Sequence, residues 1–124
     1  PELEVTRGYV RGILDVVLED DGRVYFVDWK TDLLPRYDAA SVAAHAEASY
    51  GLQALLYTLG LLRLLRVSSE ADYEARFGGY FYVFLRGLEE AGGEAVYAAR
   101  PTFATVTRWE ERLRGPLQAW SATP

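Results

Sequence analysis

Cysteine is missing from this chain, and with it disulfides, thiolate zinc sites and cysteine nucleophiles. Methionine is missing too, and histidine occurs once, as His45. No apolar run approaches the ~18 residues of a membrane-spanning helix, and no secretory pattern opens the chain. A chain that starts at Pro1 and holds no methionine reads as a piece cut from a longer protein, expected in the cytoplasm with no membrane partner. Positive charge is scarce: 13 Lys and Arg face 18 Asp and Glu, a net charge of −5. Nucleic-acid-binding modules usually carry a basic face, so this balance counts against tight, unaided binding to a polyanion. Internal repeats and low-complexity tracts are absent as well.

What is present is an apolar chain, 50% hydrophobic, enough for one core and hence one domain over residues 1–124. The stretch from Gly12-Ile13-Leu14-Asp15 to Asp28-Trp29-Lys30 organises it. Two apolar runs, residues 9–18 and 24–29, flank Glu19-Asp20-Asp21-Gly22-Arg23. Asp-Gly between such runs signals a hairpin, because a type I′ turn needs positive φ at both central residues. With Asp21 and Gly22 as those residues, Asp20 faces Arg23, and counting back sets Asp15 opposite Asp28. Opposed side chains share a face, with Cβ atoms roughly 5 Å apart. Lys30, two residues on, points to that face as well. A three-residue turn would shift the register and break this pairing.

Two acids across a sheet repel, and the apolar neighbours Ile13, Leu14, Val16, Val17, Phe26 and Val27 add a burial cost. A divalent cation between the carboxylates removes both objections; Mg²⁺ is typically held by one or two carboxylates and keeps several waters. Spacing alone leaves a second reading open: an edge hairpin with two solvated acids and a surface lysine. The hairpin is apolar on both faces, with Ile13, Val17 and Phe26 beside the acids and Leu14, Val16, Tyr25, Val27 and Trp29 opposite. Such strands are covered twice.

Downstream, residues 31–38 read as a loop around Pro35. Asp38 or Ser41 then caps a helix running to about Leu65, with a break possible near Ser49 and Gly51. Leu52, Leu55, Leu56, Leu59 and Leu62 make an apolar stripe at helical spacing. Residues 67–75 read as a loop or short helix, 77–85 as a buried strand, 89–94 as a Gly-rich turn, and 95–98 as a short strand. Thr107-Arg108-Trp109-Glu110 has the capping-box pattern that starts a C-terminal helix, and Gly115-Pro116 interrupts or ends it. Tyr80, Phe81, Tyr82 and Phe84 have two readings, a base-stacking platform or buried strand residues, of which burial fits the continuous apolar run better. Arg86 either touches phosphate or structures the loop after that strand. Arg63 and Arg66 complement a helix C-terminus.

These blocks carry a family resemblance. Asp15 followed by Asp28-x-Lys30 after a hairpin resembles the PD-(D/E)xK nuclease motif. Gly8-Tyr9-Val10-Arg11-Gly12-Ile13-Leu14-Asp15, Asp28-Trp29-Lys30-Thr31-Asp32, Gln53-Ala54-Leu55-Leu56-Tyr57 and Tyr82-Val83-Phe84-Leu85-Arg86-Gly87 resemble one branch, the C-terminal nuclease domains of RecB, the beta subunit of exodeoxyribonuclease V. Val96-Tyr97-Ala98-Ala99-Arg100-Pro101 fits as well, so the likeness spans nearly the whole chain. It implies an α/β, restriction-endonuclease-like fold with a mixed central sheet flanked by helices.

The resemblance also implies Mg²⁺-dependent cleavage of DNA phosphodiesters within a helicase–nuclease acting in double-strand break repair and recombination. Its partners would be single-stranded DNA ends, RecC- and RecD-like subunits and the helicase part of the same chain, which would offset the acidic balance. Asp15 and Asp28 would ligate metal, joined by the backbone carbonyl of Trp29. Lys30 would orient the attacking water and stabilise developing charge. Gln53 and Tyr57 match a Gln-x-x-x-Tyr motif and would contact the DNA backbone; otherwise they are an ordinary helix flank.

The family's histidine ligand lies upstream of the hairpin, so His45 does not match it and reads as a surface or helix-flank residue. Without that segment the piece is expected to bind metal weakly and cleave little by itself. Two rivals remain. One is another exonuclease of the superfamily; the absence of cysteine excludes the iron–sulfur Cas4-like kind. The other is a non-catalytic interaction domain of the same fold, against which the intact Asp15, Asp28 and Lys30 argue.

Overall fold

A computed structural model describes residues 16–114 of the chain. Asp15, the first part of the opening apolar run, and Gly115-Pro116 lie outside the described residues. The hairpin pairs strand β1 (Val16–Asp20) with β2 (Arg23–Lys30). Its turn is Asp21-Gly22 with φ of 51° and 81°, the doubly left-handed pair of a type I′ turn. The register follows: Asp20 opposes Arg23, Val17 opposes Phe26, and Val16 opposes Val27.

Helix α1 (Ala39–Leu64) and helix α2 (Glu70–Arg76) return the chain to β3 (Phe77–Phe84), which lies parallel to β2. A 3₁₀ turn, helix α3 (Leu88–Ala91) and a second 3₁₀ turn lead to β4 (Val96–Ala99), antiparallel to β3. Helix α4 (Phe103–Arg114) follows. The sheet order is β1-β2-β3-β4, a mixed α/β architecture.

Asp38 caps α1: its carboxylate accepts from the Ser41 amide at 3.2 Å. The helix passes Ser49 and Gly51 without a break. It ends in a Schellman arrangement, with the amides of Val67 and Arg66 donating to the carbonyls of Leu62 and Arg63, both at 3.0 Å. Arg66 takes the left-handed position there, at φ 58°, and is solvent-exposed, as is Arg63.

The expected leucine stripe is displaced. Leu52 is 62% exposed, whereas Val42, Ala46, Ala54, Thr58, Leu61 and Leu62 are buried together with Leu59. The physical reason is volume. The sheet face below α1 is aromatic, with Phe26, Tyr80, Tyr82 and Phe84 filling the core, so small helix residues meet it and let the helix approach. Phe26 stacks on Tyr80 with centroids 4.9 Å apart. Tyr80, Tyr82 and Phe84 are thus buried strand residues, and Phe81 is half-buried on the other side, stacked on Tyr25.

Two-sided burial holds only in part among the described residues. The face bearing Phe26 and Asp28 is closed by α1. On the opposite face Val27 is buried, but Trp29 and Leu18 keep 44% and 39% of their surface. The first strand is mostly exposed because it forms a sheet edge.

Two further elements differ from expectation. Residues 88–95, expected as a turn, form a helical turn and a 3₁₀ turn. The last helix starts at Phe103 rather than near Thr107, because Thr102 offers a capping hydroxyl earlier: it accepts from the Thr105 amide at 3.1 Å. Thr107 sits inside the helix and donates to the Phe103 carbonyl at 2.9 Å.

Candidate active site

The site lies at the carboxyl end of β2, where α1 crosses it. Asp28 is 5% exposed, a charged group that burial would penalise without partners. The Lys30 ammonium lies 3.2 Å from its carboxylate. The same ammonium donates to Gln53 Oε1 at 3.1 Å and sits 4.0 Å from the centre of the Tyr50 ring. The hairpin thus brings Asp28 and Lys30 to one face, and α1 lowers Gln53 onto that face from above.

Gln53 is oriented by its neighbours. Its Oε1 accepts a second bond, from the Tyr82 hydroxyl at 3.1 Å, and its Nε2 donates to the Tyr57 hydroxyl at 3.4 Å. A flipped amide would turn N–H groups toward the Lys30 ammonium, donor against donor, so the network fixes one orientation. Tyr82 comes from β3, at the position directly opposite Asp28. Burial, then the Asp28 charge, pushes its phenol well above the ordinary tyrosine range.

The loop after β2 is pinned as firmly. Arg86 Nε donates to the Thr31 carbonyl at 2.6 Å, which resolves the two readings of Arg86 toward loop structure. The Tyr37 hydroxyl donates to the Asp32 carbonyl at 3.0 Å and accepts from the Leu34 amide at 3.1 Å. A Cβ at Gly87 would stand 2.4 Å from the Tyr37 ring, so only glycine lets the ring close against this strand end. Arg86-Gly87 therefore anchors the segment that carries Asp32.

Three residues beyond the sequence-derived set complete the site. Asp32 Oδ2 accepts from the Tyr50 hydroxyl at 2.5 Å and pairs with His45 Nε2 at 2.7 Å. Burial raises the Asp32 carboxyl, but the bonds from Tyr50 and His45 and the His45 charge outweigh it, leaving its pKa below the ordinary value. Burial, then the bond to Asp32, pushes the Tyr50 phenol up to about 12. His45 is a helix-flank residue, as expected, and it has a partner. The signal for Tyr50 was present in its spacing: Tyr50, Gln53 and Tyr57 lie on one helical stripe. Asp32 and Tyr82 had no comparable local sign.

Among the described residues no three His, Cys, Asp or Glu side chains converge. The donors that are present suit a hard divalent cation: a buried carboxylate at Asp28, the adjacent main-chain carbonyl of Trp29, and no soft ligand. Asp15, the expected second acid, is outside the described residues. No described helix is long and apolar enough to cross a membrane.

Comparison with known proteins agrees with this geometry. The chain is 37% identical over 124 residues to the RecBCD enzyme subunit RecB of Escherichia coli, covering 93% of this chain and 10% of that protein. It is 38% identical over 130 residues to the RecB subunit of Mycobacterium tuberculosis, covering 91% of the chain and 12% of that protein. For Haemophilus influenzae RecB the identity is 35% over 112 residues, with 86% and 9% covered. The chain therefore spans about a tenth of the length of the curated relatives it matches. The family model of the PD-(D/E)XK nuclease superfamily matches residues 2–124, and this chain belongs to that superfamily.

Proposed function

We propose that this chain is the Mg²⁺-dependent DNA nuclease domain of a RecBCD-type helicase–nuclease, hydrolysing phosphodiester bonds during double-strand break repair and recombination. The observation that carries the proposal is the Asp28–Lys30–Gln53 cluster, a buried acid and a held ammonium on one sheet face. The proposal takes Asp15, which directly precedes the Val16–Val27 pair, as the second acid. Asp15, Asp28 and the Trp29 carbonyl would hold Mg²⁺, which when bound supplies charge neutralisation and a more acidic water.

The protein groups do the rest. Lys30 presents a fixed positive charge where negative charge develops on the phosphate, and it orients the attacking water. Tyr57 and the second Gln53 N–H contact the DNA backbone. Gln53 also keeps Lys30 from collapsing wholly onto Asp28. The partners proposed are single-stranded DNA ends, RecC- and RecD-like subunits and a helicase region. They fit the net charge of −5, because such affinity rests on Lys and Arg contacts to phosphate that this chain supplies sparsely.

The test is cleavage of single-stranded DNA by the full-length protein with and without Mg²⁺, with Asp28→Ala alongside. Metal-dependent cleavage abolished by the substitution is expected. Equal cleavage by wild type and variant would overturn the reading.

A further inference from the structure

We propose that Tyr50 is a positioning residue for the Lys30 ammonium, a neutral cradle that keeps the cation in place when Asp28 is engaged elsewhere. This rests on the nuclease reading. Lysine is a point charge on a flexible four-carbon stem, so its usefulness at a phosphate depends on what holds it. Three groups do so: the Asp28 carboxylate at 3.2 Å, the Gln53 amide oxygen at 3.1 Å and the Tyr50 ring face at 4.0 Å. Asp28 is also the group proposed for cation binding. A carboxylate shared with a divalent cation attracts an ammonium less, and the other two holders, being uncharged, keep theirs.

Tyr50 is itself held on three sides. Its hydroxyl donates to Asp32 at 2.5 Å, and the same carboxylate oxygen is bound by His45 at 2.7 Å. Its ring stacks on Tyr82 with centroids 5.4 Å apart, and Tyr82 bonds to Gln53. Lys30, Tyr50, Tyr82 and Gln53 thus close a ring of contacts around the ammonium. A phenol donating to a carboxylate carries a more negative ring, which strengthens its pull on a cation.

Lys30 is the only lysine in the chain, so an amine-directed reagent reads this one side chain apart from the N-terminus. The test uses the full-length protein with Tyr50→Leu, Tyr50→Phe, and phenylalanines of increasing ring fluorination at position 50. These last keep the shape and progressively weaken the ring face. The metal-free readout is the acylation rate of Lys30 by mass spectrometry; the second readout is kcat and KM on single-stranded DNA in Mg²⁺.

Tyr50→Leu is expected to acylate several-fold faster than wild type and to lose roughly tenfold in kcat, with KM unchanged. Tyr50→Phe should recover most of both, and fluorination should lower kcat stepwise. A wild-type acylation rate in Tyr50→Leu, an indifferent fluorination series, or a loss confined to KM would overturn the proposal. Ring-dependent protection of Lys30 in a protein that cleaves no DNA would uphold the cradle and sink the nuclease reading instead.

Discussion

Gln53 Oε1 accepts from Lys30 Nζ and from the Tyr82 hydroxyl, each at 3.1 Å, so one amide oxygen joins the second strand, the third strand and the long helix. Replacing it by an apolar group of similar size leaves a buried phenol and a half-buried ammonium short of an acceptor. Gln53→Leu should cost about 1–3 kcal/mol of stability. Urea unfolding monitored by circular dichroism measures it. An unchanged midpoint would mean that water replaces the amide freely.

A second expectation concerns metal linkage. A cation that binds the folded chain alone raises stability by mass action, by about 1.4 kcal/mol at ten times its Kd. The melting temperature should rise in Mg²⁺ or Mn²⁺, and Asp28→Asn should remove the increment. An equal rise in wild type and variant would place the ion elsewhere.

Thr58 is 0% exposed, and its hydroxyl has no hydrogen-bond partner among the described residues. It lies midway along α1, facing the aromatic sheet. Thr58→Val exchanges this hydroxyl for a methyl at almost constant volume and should stabilise the fold by about 1 kcal/mol. Thermal unfolding of the two proteins decides it; a destabilised valine variant would reveal a partner for the hydroxyl.

The Asp32 network sets a pH response. The folded-state pKa of Asp32 is depressed. Its stabilising contribution is therefore present above the unfolded carboxyl value, near pH 4, and is lost as pH falls through the lower folded value. Tyr50 works at the other end: its pKa is raised to about 12, so its contribution is present below about pH 10 and lost as pH rises toward 12. Asp32→Asn should flatten stability against pH on the acid flank. Parallel acid flanks for wild type and variant in denaturant titrations would count against the network.

The parts of the fold legible in the sequence are those whose causes are local. Asp21-Gly22 specifies its turn through backbone sterics, and the register to Val16–Val27 follows by counting. Asp38 announces the helix start with a side chain three residues from the amide it caps. The leucine stripe misleads because hydrophobicity at helical spacing ignores the volume of the facing surface, and here an aromatic sheet selects Ala46, Ala54 and Thr58 instead. The capping pattern at Thr107 misleads because Thr102 competes for the same task. Around the site, Asp28, Lys30, Gln53 and Tyr57 stand in motifs. Tyr82 and Asp32 do not, since their contacts run between segments far apart in the chain.

The parallel pairing of β2 with β3 has a kinetic consequence. The hairpin that carries Asp28 and Lys30 closes locally, on the microsecond scale of such turns. Gln53, Tyr50 and Tyr82 reach it only once residues 31–76 have looped over and the third strand has docked, and this non-local closure is the slow kind. Until then Lys30 is an ordinary mobile side chain beside a wet carboxylate. Competence at this site should therefore emerge late in folding, together with the docking of the third strand.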